Sequence, residues 1–347
     1  MYDRVRRVLR RYDEHLSEAE REVMECFSAF RLPVKEAALE VVWRSPLAPL
    51  VKGGTENQVP LFKGDLGGSN GILNQLVNYR MLRYDNRLQH YTTHPLIRAH
   101  YLERLKEKPI EVLQALHNRI KGWYLDIAGE MPEEPTLDQL APLIEAVHHA
   151  CQAGEYDEAN DIRRDKIYQN DRKVLMHKLG AYETNLAIMQ EFFPQSDTSQ
   201  EPQVSQPSDK AFILNEIALS LMSLGRLREA PPFYERSTKI YLTQSDWGYA
   251  SVVYQNLAGL YAYLGDLVAS AESAREAIAL SDRAENKDYK CTSLSYLAYA
   301  AFLQGDGTTA GEAFQQAETL EQELNSYKYL FGHRGIVHTY EIPATIW

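Results

Sequence analysis

Leu224-Gly225-Arg226-Leu227-Arg228-Glu229-Ala230, Leu264-Gly265-Asp266-Leu267 and Gln304-Gly305-Asp306 are three copies of one phrase, and their glycines stand one fixed interval apart. Each glycine ends an alanine-rich run of helical character, and another such run follows. Glycine closes a helix in the left-handed conformation without a Cβ penalty. A fixed period of helix, glycine turn and helix predicts an α-solenoid, in which each unit buries its apolar face against the next. Degenerate versions of the phrase occur at Gly154, in Ala150-Cys151-Gln152-Ala153-Gly154-Glu155-Tyr156, and at Gly180.

Alignment on the turn glycine makes the repeat testable. The first helix of each unit carries a small residue at Ala218, Ala258 and Ala298, preceded by Ile217, Leu257 and Leu297. The second helix carries a small residue at Ala230, Ser270 and Ala310, then Tyr234, Ala274 and Phe314, where the middle repeat departs by losing its bulky residue. This pattern over residues 209–320 resembles tetratricopeptide repeats, with helices lengthened by about a turn. The resemblance implies that Phe212, Asn215, Leu219 and Met222, then Val252, Gln255, Gly259 and Tyr263, then Thr292, Ser295, Tyr299 and Phe302 face a concave groove. Asn215, Leu219, Gln255, Tyr263, Ser295, Tyr299 and Phe302 are the candidate peptide contacts. Such a lining, neutral, aromatic and amide-bearing, suits a protein or peptide segment. It lacks the basic set that clamps a terminal carboxylate.

The front of the chain reads differently. Helices are expected over 3–14, over 17–30 behind the capping box Ser17-Glu18-Ala19-Glu20, and from Pro33 to about 43. A glycine-rich insertion at 45–70 contains the echo Leu50-Val51-Lys52-Gly53-Gly54 and Leu61-Phe62-Lys63-Gly64. It reads as a flexible loop. Neither Gly53 nor Gly64 leads the GxxxxGK[ST] run of a phosphate-binding loop. A helix at 71–82 precedes a hairpin with strands 81–84 and 87–92 around the turn Asp85-Asn86. Helices follow at 95–107, 109–130 and 136–152. Helices closed by a hairpin make a winged helix. Four segments result: a winged-helix-like domain over 1–107, connecting helices and degenerate repeats over 108–193, a loop over 194–208 and the repeat solenoid over 209–347. The fold class is all-α with one β-hairpin.

Tyr91-Thr92-Thr93-His94-Pro95-Leu96-Ile97-Arg98 resembles the Met-His-Asp motif of STAND-type signalling NTPases, the NB-ARC and NACHT group, in its bacterial form. The order winged helix, connecting helices, repeats is similar to the rear half of that group. The resemblance implies that His94 lies near the β-phosphate of bound ADP. A nucleotide would be supplied by a P-loop NTPase module from another chain, because the chain holds no P-loop of its own. No cofactor is expected. The implied role is a non-enzymatic sensor whose binding at the repeats biases such a module between two states. Two other readings stay open: a freestanding repeat scaffold, and a winged-helix regulator that meets DNA phosphates through Arg80, Arg83 and Arg87, with a second basic patch at Arg4, Arg6, Arg7, Arg10 and Arg11.

Composition narrows the classes. The net charge is −11, split as +4 over residues 1–110 and −15 over the rest, so nucleic acid is not a general partner. Cys26, Cys151 and Cys291 are odd in number and form no CxxC, which predicts reduced thiols and a cytoplasmic protein. No run of about 18 apolar residues is present, so no membrane partner is expected. His148 and His149 are adjacent on a helix and diverge by about 100°. With His333 and His338 they read as packing or surface residues and not as metal ligands. No nucleophile motif occurs, and no catalytic residue is assigned.

Overall fold

The computed structural model describes residues 2–43 and 71–324, with side chains of residues 2–8 and 171 left aside. The insertion at 45–70 and the tail with His333 and His338 therefore lie outside the described residues, as do the side chains of Arg4, Arg6 and Arg7. The chain divides into two compact units, Met1–Leu179 and Gly180–Trp347.

In the first unit α1 (Tyr2–His15) and α2 (Glu18–Ala29) are separated by the expected capping box. Ser17 N–H donates to Glu20 Oε2 at 2.7 Å, and Glu20 N–H donates to Ser17 Oγ at 3.2 Å. Pro33 does not open the next helix. Val34 instead pairs with Tyr91, exchanging N–H···O bonds of 3.0 and 2.7 Å, and α3 starts at Glu36 (Glu36–Trp43). The strand pairing fixes the backbone in an extended form that a helix start at 33 would forbid. The helix α4 (Ile72–Asn78) is shorter than expected. Arg80 takes φ 62°, and Met81 and Leu82 turn into the core with both N–H groups on the Leu76 carbonyl.

The hairpin is present but its turn is displaced. The strands β1 (Arg83–Asp85) and β2 (His90–Thr92) pair antiparallel in the register Tyr84 to Tyr91. The turn is residues 86–89 and not Asp85-Asn86. Asp85 belongs to the ladder opposite His90, and its carboxylate accepts from the N–H groups of Arg87 and Leu88 at 2.8 and 3.1 Å. The helix α5 (Pro95–Lys106) follows directly. A buried polar network ties α1, α2 and α5 together. Asp13 accepts from Tyr101 Oη at 2.5 Å and Arg104 Nη1 at 2.9 Å and bonds His100 Nε2 at 2.9 Å, while Glu25 holds Arg104 and Lys108.

The helices α6 (Ile110–Ala128) and α7 (Leu137–Gln152) form an antiparallel pair, α7 opening on a Thr136–Gln139 capping box. The degenerate phrase at Gly154 makes a true repeat turn into α8 (Tyr156–Asp161). Beyond α8 the chain stays irregular, with π-helical turns at Ile162–Ile167 and Val174–Lys178 and left-handed Gln169, Asn170 and Lys173 between them.

The second unit is an α-solenoid of helix pairs. It begins with α9 (Tyr182–Gln190), then α10 (Pro207–Ser223) with α11 (Pro231–Thr243), α12 (Trp247–Leu264) with α13 (Leu267–Arg283), and α14 (Lys287–Gln304) with α15 (Gly307–Leu324). Gly225, Gly265 and Gly305 take φ of 75°, 80° and 82°. After each, the next N–H returns to a carbonyl in the last helical turn at 2.9 Å: Arg226 to Leu221, Asp266 to Tyr261, Asp306 to Ala301. Gly154 repeats this with Glu155 to Ala150, also at 2.9 Å. This is the Schellman closure.

The same closure ends the second helix of a pair, with no glycine. Ser245 at φ 57° and Glu285 at φ 51° are left-handed, and Asp246 and Asn286 return their N–H groups to Tyr241 and Ser281. The turn therefore recurs at half the glycine interval, at Gly225, Ser245, Gly265, Glu285 and Gly305, and the sequence marks only alternate ones with glycine. Asp246, Asp266, Asn286 and Asp306 then cap the following helix, each accepting from the N–H three residues on at 2.9–3.1 Å.

Packing follows the alignment. Ala218, Ala258, Ala298, Ala230, Ser270 and Ala310 are all buried where the helices of a pair cross, and Ser270 Oγ donates to the Ala258 carbonyl at 2.7 Å. A second close approach recurs with donor and acceptor exchanged. Ser237 Oγ donates to the Ala211 carbonyl, Ser251 Oγ to Ala277 and Cys291 Sγ to Ala317. The segment 194–208 is tied to α11, since Arg236 donates to the carbonyls of Thr198 and Gln200. Among the described residues no helix is long and apolar enough to cross a membrane.

Candidate functional site

The predicted groove residues do not form one surface. Gln255 is buried, and its Nε2 donates to the Tyr289 carbonyl and Ser293 Oγ, both at 2.9 Å. Asn215 is buried and accepts from Asn256 Nδ2 at 3.0 Å, and Ser295 is buried with its hydroxyl on the Cys291 carbonyl. A Cβ at Gly259 would meet the Tyr296 ring at 3.2 Å, so that position is filled by α14. The first helices of successive pairs pack on one another, and this packing consumes the inner stripe. Tyr263 on α12 is 67 % exposed, while Leu219 on α10 and Tyr299 and Phe302 on α14 are half-buried. The accessible part of the predicted site is this aromatic and aliphatic set.

His94 is exposed and caps α5. Its Nδ1 accepts from Leu96 N–H at 3.2 Å, which places the ring proton on Nε2 and leaves that atom as a donor. Thr93 Oγ1 donates to the Met81 carbonyl at 2.7 Å and Arg98 Nε to the Phe30 carbonyl at 2.8 Å, so the motif is anchored on both sides of the histidine. Arg80, Arg83 and Arg87 are exposed and form no ion pair among the described residues.

His149 is fully buried and its Nδ1 lies 2.8 Å from Nδ1 of His117, one ring donating and the other accepting. Burial, with the neighbouring His148, pushes His117 down to about 4, and burial, with His117 beside it, holds His149 well below the imidazole range. Both rings are therefore neutral. Beside them Arg31 Nη2 pairs with Glu145 at 2.9 Å. Among the described residues no group of three metal-ligating side chains occurs. All three cysteines are buried thiols, and burial pushes Cys291 up to about 11 and Cys26 up to about 12.

A cleft of about 610 Å³ lies among α11, α12 and α13. Leu242 and Leu257 supply apolar wall, Thr238, Tyr254, Tyr261 and Ser273 supply hydroxyls, Thr243 turns its own hydroxyl onto the Lys239 carbonyl, and Glu235 and Lys239 stand at its edge. At 100° per residue, Tyr254, Leu257 and Tyr261 lie on the opposite side of α12 from Gln255, Gly259 and Tyr263. Burial raises the Tyr254 phenol, with Glu276 adding to it, and the Tyr261 phenol, with Glu235 adding to it. None of these residues stands out by motif. Their signal is a departure between aligned repeats.

No family profile and no curated protein matches the chain. Among solved structures it is similar to a Signal Transduction ATPase with Numerous Domains (STAND) protein with a tetratricopeptide repeat sensor from Pyrococcus horikoshii. Identity is 13%, with a TM-score of 0.37, over 97% of this chain and 50% of that one. The chain thus spans half the length of that protein. It is also similar to BtubC (BKLC) from P. vanneervenii, at 18% identity and a TM-score of 0.36, over 65% of this chain and 84% of that one. A third likeness is to the nearly identical TPR-like repeats of a putative kinesin light chain from Podosopora anserina, at 17% identity and a TM-score of 0.34, over 62% and 89%.

Proposed function

We propose that this chain is a non-enzymatic protein-interaction module, the sensing half of a STAND-type signalling ATPase. The observation that carries the reading is the accessible set on the first helices of three successive pairs: Leu219, Tyr263, Tyr299 and Phe302. Aromatic side chains held on rigid helices bury large area at small entropic cost, as a protein partner requires. The first unit supports the finer part. Among the described residues α2, the Val34 bridge, α3, α4 and a hairpin follow in the order expected of a winged helix, which supports this reading, and His94 keeps Nε2–H as a donor at the N-terminus of α5. A helix N-terminus with an imidazole donor suits a phosphate held by a nucleotide module.

The test replaces Tyr263 or Tyr299 by p-benzoylphenylalanine in the source cell and irradiates. A discrete protein adduct at these positions, absent when Arg275 carries the probe, is expected. No adduct at either position would sink the reading. A second reading, contact with DNA, rests on the exposed Arg80, Arg83 and Arg87. It requires duplex binding that falls steeply with salt and weakens on Arg83→Ala.

A further inference from the structure

Four hydroxyls at the cleft among α11, α12 and α13 have no hydrogen-bond partner among the described residues: Thr238, Tyr254, Tyr261 and Ser273. Thr238 is 6% exposed, so its Oγ1 is buried without a partner. Several other helical hydroxyls in this unit, Thr243 at the same cleft among them, find the carbonyl four residues back. Ser220 bonds Glu216, Thr243 bonds Lys239, Ser293 bonds Tyr289 and Thr319 bonds Gln315. An unpaired buried hydroxyl costs on the order of 1–3 kcal/mol, and nothing in the repeat pattern requires it here.

The next interval shows what the repeat can do without it. One full glycine interval on, Thr238 becomes Ile278, Tyr254 becomes Leu294, Tyr261 becomes Ala301 and Ser273 becomes Ala313. These four positions turn apolar together, while at the rim Leu242 and Thr243 are matched by the exposed Asp282 and Arg283. Leu294 and Ala313 belong to the core between α13, α14 and α15, and Ile278 packs against it. The inner wall of the same scaffold position is apolar core in one interval and carries hydroxyls in the other. A cleft of this volume with mostly apolar walls and a few convergent polar groups is the usual form of a ligand site.

We infer that this cleft binds a short, neutral, extended peptide segment, an inference that rests on the protein-interaction reading proposed above. Three features select this occupant. The helical stretch from Glu235 to Thr243 rises about 12 Å, which is the length of about four extended residues. Hydroxyls both donate and accept, matching a main chain that offers N–H and C=O in alternation, while Leu242 and Leu257 receive an apolar side chain. Glu235 and Lys239 stand one turn apart with opposite charges, so a ligand of either net sign meets one repulsion and a neutral segment meets none.

The experiment pans a phage-displayed nonapeptide library on the full chain and measures recovered peptides by fluorescence anisotropy. Peptides with an apolar anchor are expected. Their affinity should fall at least tenfold on Thr238→Ile, which copies the next interval and fills the cleft, and about threefold on the milder Ser273→Ala. It should be unchanged on Arg275→Ala, which lies outside both the cleft lining and the aromatic set. Thr238→Ile should melt at or above the wild-type temperature, so the loss is not unfolding. Peptides that bind Thr238→Ile and Ser273→Ala as well as wild type would overturn the inference. If they are instead lost on Tyr299→Ala, the interaction reading stands without it. Recovery of no peptide, or a cleft saturated by 3-methylindole alone, also overturns it, and crosslinking at Tyr263 and Tyr299 then tests the interaction reading separately.

Discussion

The two units reach stability by different routes. Met1–Leu179 is held by particular contacts that occur once: Asp13 among Tyr101, His100 and Arg104, the Arg31–Glu145 pair, and His117 on His149. Gly180–Trp347 is held by one helix closure, one cap and two small-residue crossings, each used several times. A contact used once concentrates its energy in few residues. A contact used repeatedly spreads it. The first unit should therefore answer sharply to single substitutions and to pH, and the second mildly to both.

The largest test of that contrast is Asp13→Ala. It strands the fully buried Tyr101 hydroxyl and leaves Arg104 with Glu25 alone, at a cost of about 3 kcal/mol. Hydrogen exchange should speed in α2 and α5 and stay unchanged in α12 to α15; equal loss in both units would break the distinction. The second test is acid. A histidine whose pKa is depressed by folding stabilises the native state fully above its unfolded value near 6.5, and the contribution is lost as pH falls toward about 4. For His117 this is on the order of 3 kcal/mol. Asp13 acts in the same direction at lower pH: its burial would raise its pKa, but the hydrogen bonds of Tyr101 and His100 and the charge of Arg104 hold it below the usual carboxylate range. Protection of α6 and α7 should fall between pH 6.5 and 4, and this slope should lessen in His149→Phe. A flat profile through that window would refute the neutral histidine pair.

Within the repeated unit the effects are smaller. Gly265→Ala forces a Cβ into φ 80° and should cost about 1 kcal/mol. Glu285→Gly, at the next closure along the array, should instead stabilise by about 0.5 kcal/mol, because Glu285 now sits at φ 51°. Thermal melts of the two variants should move in opposite directions. Movement in one direction would mean that the closures differ in kind.

The glycines at 225, 265 and 305 made the array legible because only glycine advertises a left-handed residue. The closures at Ser245 and Glu285 have the same backbone and were invisible, since their hydrogen bonds hold residues of no special type. The capping boxes and the hairpin were legible for similar local reasons. Pro33 misled because pairing of Val34 with Tyr91, far along the chain, outweighs a local helix start. Asn215, Gln255 and Ser295 misled because periodicity gives the face of a helix but not whether a neighbour covers it. The cleft residues carried their signal in register with the next repeat, where four hydroxyls become four apolar groups.

The recurrence of one closure at every half interval also constrains how such a gene can change length. Loss or gain of a whole interval, from one turn glycine to the next, rejoins like with like, and every helix keeps its neighbour type. Loss or gain of half an interval would set a second-type helix where a first-type helix belongs and put Ala230 or Ser270 against the wrong partner, so growth of this array should proceed in pairs.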